Sequence, residues 1–414
     1  MATTTSLYAR HAQPLAAEAL DFSPVVFIQG ARQVGKSTLA QQVMAERSFE
    51  HALTLDSQAE LDAASNDPVG FLAGLEGRVF IDEVQRAPAL LLAIKQRVDS
   101  EQRPGQFLLT GSANVLTAPK VHDALTGRTA LITLWPLAQS EIEGAGRNFA
   151  DALLAGDPPR VTDAPIGRAA FVERVAAGGY PRALPASRRQ RRLFFADYLA
   201  STLERDLREL ADARKLAEMP RLLRLLASRA GNLYSARNIG KALGLTHDTV
   251  RGYTRLLETV FLVRTVPAWR PGIGSREVQT PKVYLVDSGL LASVLGANAG
   301  RIATDDQLTG KLLENFVAME VARHLDWAET AATQYHYRDR HAEIDIVLEA
   351  HSGDLAALEV KASASPTARD WRALANLRDA RGPSFRAGVL LYTGRQTIPL
   401  GDRLWAVPIS GLWA

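Results

Sequence analysis

One octapeptide, Gly30-Ala-Arg-Gln-Val-Gly-Lys-Ser37, constrains this chain more than any other stretch. It has the form GxxxxGK(S/T), follows the apolar β-branched run Val25 to Gln29, and precedes a helix-compatible segment from Ser37 to Glu46. That order is strand, glycine-rich loop, helix, the one context in which such a loop wraps a phosphate. Its backbone N–H groups converge on the anion and the helix N-terminus adds a positive partial charge. Four further apolar runs, at 51–56, 78–84, 106–112 and 129–135, alternate with helical stretches such as Leu90 to Val98. Five buried strands separated by helices predict an α/β fold with a parallel sheet.

The loop assigns roles by residue type. Gly30, Ala31, Arg32, Gln33, Val34, Gly35, Lys36, Ser37 and Thr38 form the expected nucleotide cradle, with Lys36 reaching the β- and γ-oxygens and Ser37 a ligand to Mg²⁺. The strand Val79-Phe-Ile-Asp82-Glu83 ends in two carboxylates. Asp82 is expected in the Mg²⁺ shell, and Glu83 is expected to orient or deprotonate the attacking water. Phe107-Leu-Leu-Thr110-Gly-Ser112 is a third strand ending in small polar residues. If it lies between the other two, Thr110 or Ser112 is placed to bond the γ-phosphate or the water. Arg128, in Leu-Thr-Gly-Arg ahead of the last run, reads equally as a finger for a neighbouring subunit's phosphate or as an ordinary salt-bridged arginine.

The chain has 414 residues, 47% of them apolar, enough for two to four domains. It has no cysteine, which removes thiolate nucleophiles, disulfides, Fe–S clusters and Cys-based zinc sites and fits a reducing, cytoplasmic setting. No apolar run approaches the ~18 residues of a membrane span. The net charge of +3 is too small to demand a nucleic-acid partner, so any basic surface is local.

After a Gly/Pro-rich stretch from Gly144 to Gly167 the chain turns helical. Residues 219–269 read as helix, helix, turn, helix, β-wing, with Ser235 and Thr246 as helix caps. This is a winged helix-turn-helix layout whose second helix exposes His247, Asp248, Arg251 and Arg255. Arg251 and Arg255 are the candidate DNA contacts, and protein docking is the competing role. Further on, Glu314 lies on a long amphipathic helix, Asp345 in a strand, and Glu359 and Lys361 on one face of the next strand. Three acids and a lysine in this arrangement suit a metal cleft that activates water against a phosphodiester. Salt-bridged strand faces are the competing reading.

Together with GGYP (Gly178–Pro181), ERDL (Glu204–Leu207), YLVDSGLL (Tyr284–Leu291), LLEN, EIDIV and EVKAS, these motifs make the chain resemble a family of bacterial and archaeal predicted ATPases of the AAA+ superfamily over nearly its whole length. The resemblance implies a P-loop AAA+ core at 1–140, a loop and helical lid or linker at 141–212, a winged helix at 213–270, a linker at 271–300, and a domain similar to PD-(D/E)xK nucleases at 301–414. Under it, Asp345, Glu359 and Lys361 align with the nuclease signature and Glu314 with its helical acid. The expected function is ATP hydrolysis with Mg²⁺ coupled to DNA, self-association into a homo-oligomer being left open. An ATP-gated protein scaffold and an ATP-dependent nuclease are the alternatives.

Overall fold

The computed structural model describes residues 7–112, 127–164, 167–207, 217–271 and 280–414, with the side chains of 205 and 206 excepted. Asn114 and the Leu125-Thr126 half of the LTGR motif lie outside these residues. The chain divides into two compact units, one of residues 1–135 with 259–261 and one of 136–258 with 262–414.

In the first unit all five expected strands form: β1 (Val25–Gly30), β2 (His51–Thr54), β3 (Val79–Asp82), β4 (Phe107–Gly111) and β5 (Thr129–Leu134). They make one parallel sheet in the order β2-β3-β4-β1-β5. β1 and β4 are buried at every position, as strands covered on both faces must be. Val25, Phe27, Val79, Ile81, Phe107 and Leu109 pack against Leu90, Leu91, Ile94 and Val98 of the helix Pro88–Glu101. The helices Ala12–Phe22 and Lys36–Glu46 contact the central strands and cover the alternate positions. This order seats β4 between the loop strand and the carboxylate strand, the condition under which Thr110 and Ser112 enter the site.

The second unit is built on a six-stranded mixed sheet: β8 (Ala332–Arg338), β9 (Glu343–Ala350), β10 (Leu355–Lys361), β11 (Phe385–Tyr392), β12 (Ile398–Gly401) and β13 (Leu404–Pro408). Its order is β12-β13-β11-β10-β9-β8, with β10, β11 and β13 parallel and the outer pairings antiparallel. Leu355, Ala357 and Val347 pack with Leu374 and Leu377 of the helix Arg372–Arg381. The long helix Asp306–Asp326 runs along β8 to β10.

Three helices, Met219–Ser228, Ala236–Leu243 and His247–Thr259, precede a two-stranded antiparallel sheet of β6 (Val263–Val266) and β7 (Lys282–Leu285). Ser235 Oγ accepts from Asn238 N and Thr246 Oγ1 from Thr249 N, so both expected caps are made.

The chain from 280 to 300 is not a linker. Val283, Tyr284, Leu285 and Val286 are fully buried, and the helices Ser288–Val294 and Ala299–Thr304 follow. The reason is polar as well as apolar. Asp287 caps the first of these helices through Leu290 N at 2.8 Å and accepts Gly179 N at 2.7 Å, while the Asn315 amide bonds both Leu285 N (2.9 Å) and Leu285 O (3.0 Å). Part of the stretch expected as a lid or linker, 141–212, is also packed against the second unit's sheet. The helix Phe149–Leu154 packs on the long helix and the central sheet, Asn148 Nδ2 donates to His324 O at 2.8 Å, and Glu320 accepts Gln139 N at 2.8 Å. Among the described residues no helix is long and apolar enough to cross a membrane.

Candidate functional site

The loop from Gly30 to Lys36 leaves β1 through backbone that side chains resist. Gly30 has φ +155°, and a Cβ there would lie 2.1 Å from Leu134 O on β5. Gly35, φ +98°, is the N-cap of the helix that opens at Lys36. Gln33 also sits at positive φ, 62°. Lys36 is buried, its Nζ donating to Gly30 O (3.1 Å), Ala31 O (2.9 Å) and Ser112 Oγ (3.1 Å). Ser37 Oγ donates to Asp82 Oδ2 at 2.8 Å, and Asp82 Oδ1 accepts from Thr110 Oγ1. A hydroxyl and a carboxylate already paired beside the loop fit the two protein groups that hold a nucleotide-bound Mg²⁺.

Glu83 follows β3 in the left-handed region, φ 57°, which turns its carboxylate away from the strand direction. Ser112 Oγ lies 2.8 Å from Oε1 and 3.0 Å from Oε2, and Gln85 Nε2 donates to Oε2. Burial alone would raise its pKa, but Lys36, the Gln85 and Ser112 hydrogen bonds and Arg32 outweigh it and hold the carboxyl below the usual range. Lys36, Ser112 and Glu83 thus form one chain: cation, hydroxyl, ionised carboxylate.

Two contributors carry no mark in the sequence. Arg10, buried and 20 residues ahead of the loop, donates to Val34 O at 2.8 Å and Trp135 O at 2.9 Å, tying the loop to the end of β5. Gln85, within VFIDEVQ, orients Glu83. Arg128 stands at the opposite end of the sheet: it precedes β5, roughly 16 Å of strand from the loop end. There it pairs with Asp99, Nη2 to Oδ2 at 3.1 Å. It does not reach the phosphate site of its own chain.

In the second unit Glu314, Asp345, Glu359 and Lys361 do come together, around a residue that belongs to no motif. Lys282 Nζ lies 2.9 Å from Glu314 Oε1, 3.0 Å from Glu343 Oε1 and 3.2 Å from Asp345 Oδ1. Tyr284 OH also donates to Glu314 Oε1, Val360 N donates to Asp345 Oδ2, and Lys361 Nζ donates to Glu359 Oε1 at 2.7 Å. Burial and then the charge of Asp345 raise Glu314 to about 7 and Glu359 to about 8, with the lysines pulling the other way. Among the described residues no three His, Asp or Glu side chains are arranged to hold a metal, because an ammonium stands between the carboxylates.

The parallel sheet, the loop and the two-carboxylate strand define a P-loop ATPase of AAA type. Consistent with that class, residues 22–143 match a family model described as an AAA domain, residues 168–301 a domain of unknown function (DUF8612), and residues 309–412 another (DUF4143). The uncharacterized protein Rv2008c of Mycobacterium tuberculosis is 30% identical over 395 residues, 94% of this chain and 81% of that protein. The uncharacterized protein Mb2031c of Mycobacterium bovis matches to the same extent. This chain belongs to their family. Among solved structures, the Walker-type ATPase PABY2304 of Pyrococcus abyssi is similar with TM-score 0.43 and 15% identity over 70% of this chain and 97% of that one. The RuvB Holliday junction branch migration motor of Thermotoga maritima gives TM-score 0.28 and 18% identity, over 62% and 87%.

Proposed function

We propose that this ATPase is Mg²⁺-dependent and couples hydrolysis to binding or remodelling of DNA. The observation that carries hydrolysis is the Lys36–Ser112–Glu83 chain. Glu83 is ionised and aimed by Ser112 and Gln85, so it can take a proton from water as the water oxygen attacks the γ-phosphorus and the bond to the β–γ bridging oxygen breaks. Lys36 would exchange its carbonyl partners for phosphate oxygens, and Ser37 and Asp82 would hold Mg²⁺, whose charge would offset that of the phosphates. ADP and phosphate are the products.

DNA as the coupled substrate is supported by the three helices and antiparallel strand pair of residues 219–285, which match a winged helix-turn-helix in element order. Lys241, His247, Arg251 and Arg255 are exposed on or beside its second helix. Arginine and lysine there suit phosphate contacts of low sequence preference. One observation favours a second reading, protein docking: Asp248, paired with His247 at 3.2 Å, puts a negative charge at the start of the same helix.

ATPase assays with linear, forked and four-way DNA test the proposal. Lys36→Ala is expected to lose nucleotide binding and turnover, and Glu83→Gln to bind ATP but barely turn it over. DNA affinity is expected to fall steeply with salt. In Arg251→Ala with Arg255→Ala the slope should flatten by about one for each phosphate that the arginines no longer neutralise. Full activity in Glu83→Gln would remove the role given to it, and a salt slope near zero would move the module to protein docking.

A further inference from the structure

Lys282 opens β7, and its side chain is 1% exposed. An ammonium has three protons to donate. Here it donates to Glu314 on the long helix and Asp345 on β9, and a third carboxylate, Glu343 of β9, lies 3.0 Å away as an ion-pair partner. Further donors crowd these carboxylates: Tyr284 OH donates to the same Glu314 Oε1, Val360 N to the second oxygen of Asp345, Arg338 lies 3.5 Å from the second oxygen of Glu343, and Lys361 donates to Glu359 Oε1. Of the fully buried carboxylate oxygens in the cluster, Glu359 Oε2 alone has no partner among the described residues. Mg²⁺ needs about six oxygens in near-octahedral array at ~2.1 Å, and the two oxygens that face each other across the cluster, Glu314 Oε1 and Asp345 Oδ1, already receive the ammonium.

Lys282 is also held by its backbone. Leu233 bridges to Lys282, Tyr234 N donates to Pro281 O at 2.7 Å, and Gly231 N donates to Val283 O at 2.9 Å, while β6 pairs along the other edge. A side chain this buried, on a strand fixed at both edges, has no solvent-facing position to which it can withdraw for a second cation. Any divalent ion bound to Asp345 Oδ1 would share that oxygen with the ammonium.

We infer that Lys282 is the resident cation of this cluster, and that the cluster is a clasp fastening β7 to the long helix and to β9 rather than a divalent-metal centre. The clasp also joins the helix-turn-helix segment to the C-terminal sheet, since β7 pairs with β6 and with residues 231–234. This goes beyond the ATPase reading and does not depend on it.

The test is a Mn²⁺ titration of the full-length, nucleotide-free protein carrying Asp82→Asn, which removes the carboxylate assigned to the metal at the nucleotide site. Free Mn²⁺ is read by electron paramagnetic resonance. With Lys282 in place, no bound equivalent is expected that Asp345→Asn removes. Adding Lys282→Met is expected to open one Mn²⁺ site among Glu314, Glu343 and Asp345, abolished again by Asp345→Asn. One equivalent bound in the presence of Lys282 and abolished by Asp345→Asn would overturn the inference, as would a folded Lys282→Met protein that binds none. If Lys282→Met does not fold, the titration with Lys282 in place decides alone.

Discussion

Removing one hydroxyl tests the catalytic chain more sharply than removing either charge. Ser112 is 3% exposed at the end of β4, accepts from Lys36 at 3.1 Å and donates to Glu83 at 2.8 Å. In Ser112→Ala, Lys36 keeps Gly30 O and Ala31 O and Glu83 keeps Gln85, so neither charge is stranded. What disappears is the bond that fixes the carboxylate, a charged hydrogen bond of about 1.5–3 kcal/mol. Expressed wholly in the chemical step, that is roughly a ten- to hundredfold fall in kcat, with KM for ATP nearly unchanged. Steady-state phosphate release at saturating MgATP gives kcat, and fluorescent-nucleotide titration shows whether binding survives. Because Ser112 acts through Glu83, the same substitution in a Glu83→Gln background should cost little more. A kcat within about twofold of wild type, or an equal loss in both backgrounds, refutes the chain as drawn.

Three further outcomes are expected. Arg10→Ala frees the carbonyls of Val34 and Trp135 and should raise KM for ATP about five- to tenfold, from ~1–1.4 kcal/mol of loop ordering, with a smaller change in kcat; an unchanged KM removes Arg10 from the site. Asp287→Ala strands Gly179 N and Leu290 N in the interior, while Arg323 keeps Glu320 and Val286 O, and should cost about 2–4 kcal/mol in urea unfolding of the second unit; a loss under about 1 kcal/mol contradicts the burial argument. His336 has its pKa lowered to about 4, by burial first and then by Lys282, whereas an unfolded histidine titrates near 6.5. Between those values the unfolded chain binds more protons at this site, so His336 withdraws on the order of 3 kcal/mol of stability as pH falls, against the opposite contribution of Glu314 and Glu359, whose raised folded values favour the native state; urea midpoints at pH 7 and pH 4.5 should show wild type losing about that much relative to His336→Gln.

Much of the first unit is legible without coordinates because its information is local. Strands β1, β3 and β4 are continuous apolar runs, the loop carries its own pattern, and Ser235 and Thr246 of the second unit likewise announce the helices they cap. What stays hidden is long-range or disguised. Arg10 has its partners 24 and 125 residues away, and Lys282 finds Glu314 and Asp345 at 32 and 63, distances at which nothing in the order of residues names the partner. Strand β8, Ala-Thr-Gln-Tyr-His-Tyr-Arg, buries Gln334 and His336, polar residues that hide its inward face. The span 271–300 reads as a linker in sequence, although its apolar run Val283 to Val286 is buried and forms most of β7. Its depth depends on Asp287 and Asn315, whose roles appear only once both ends are assembled.

The Asn315 amide has a consequence for how such a protein can be cut and inherited. By donating to Leu285 O and accepting from Leu285 N, a single carboxamide on the long helix supplies the edge that β7 lacks where its strand neighbours end. The two stretches matched as separate domains of unknown function, 168–301 and 309–412, therefore complete each other's peptide hydrogen bonding. A gene fusion or truncation that severed them between 301 and 309 would expose an unsatisfied peptide group on one product and an orphaned amide on the other. The stretches 168–301 and 309–412 should therefore travel between genomes as one inherited block.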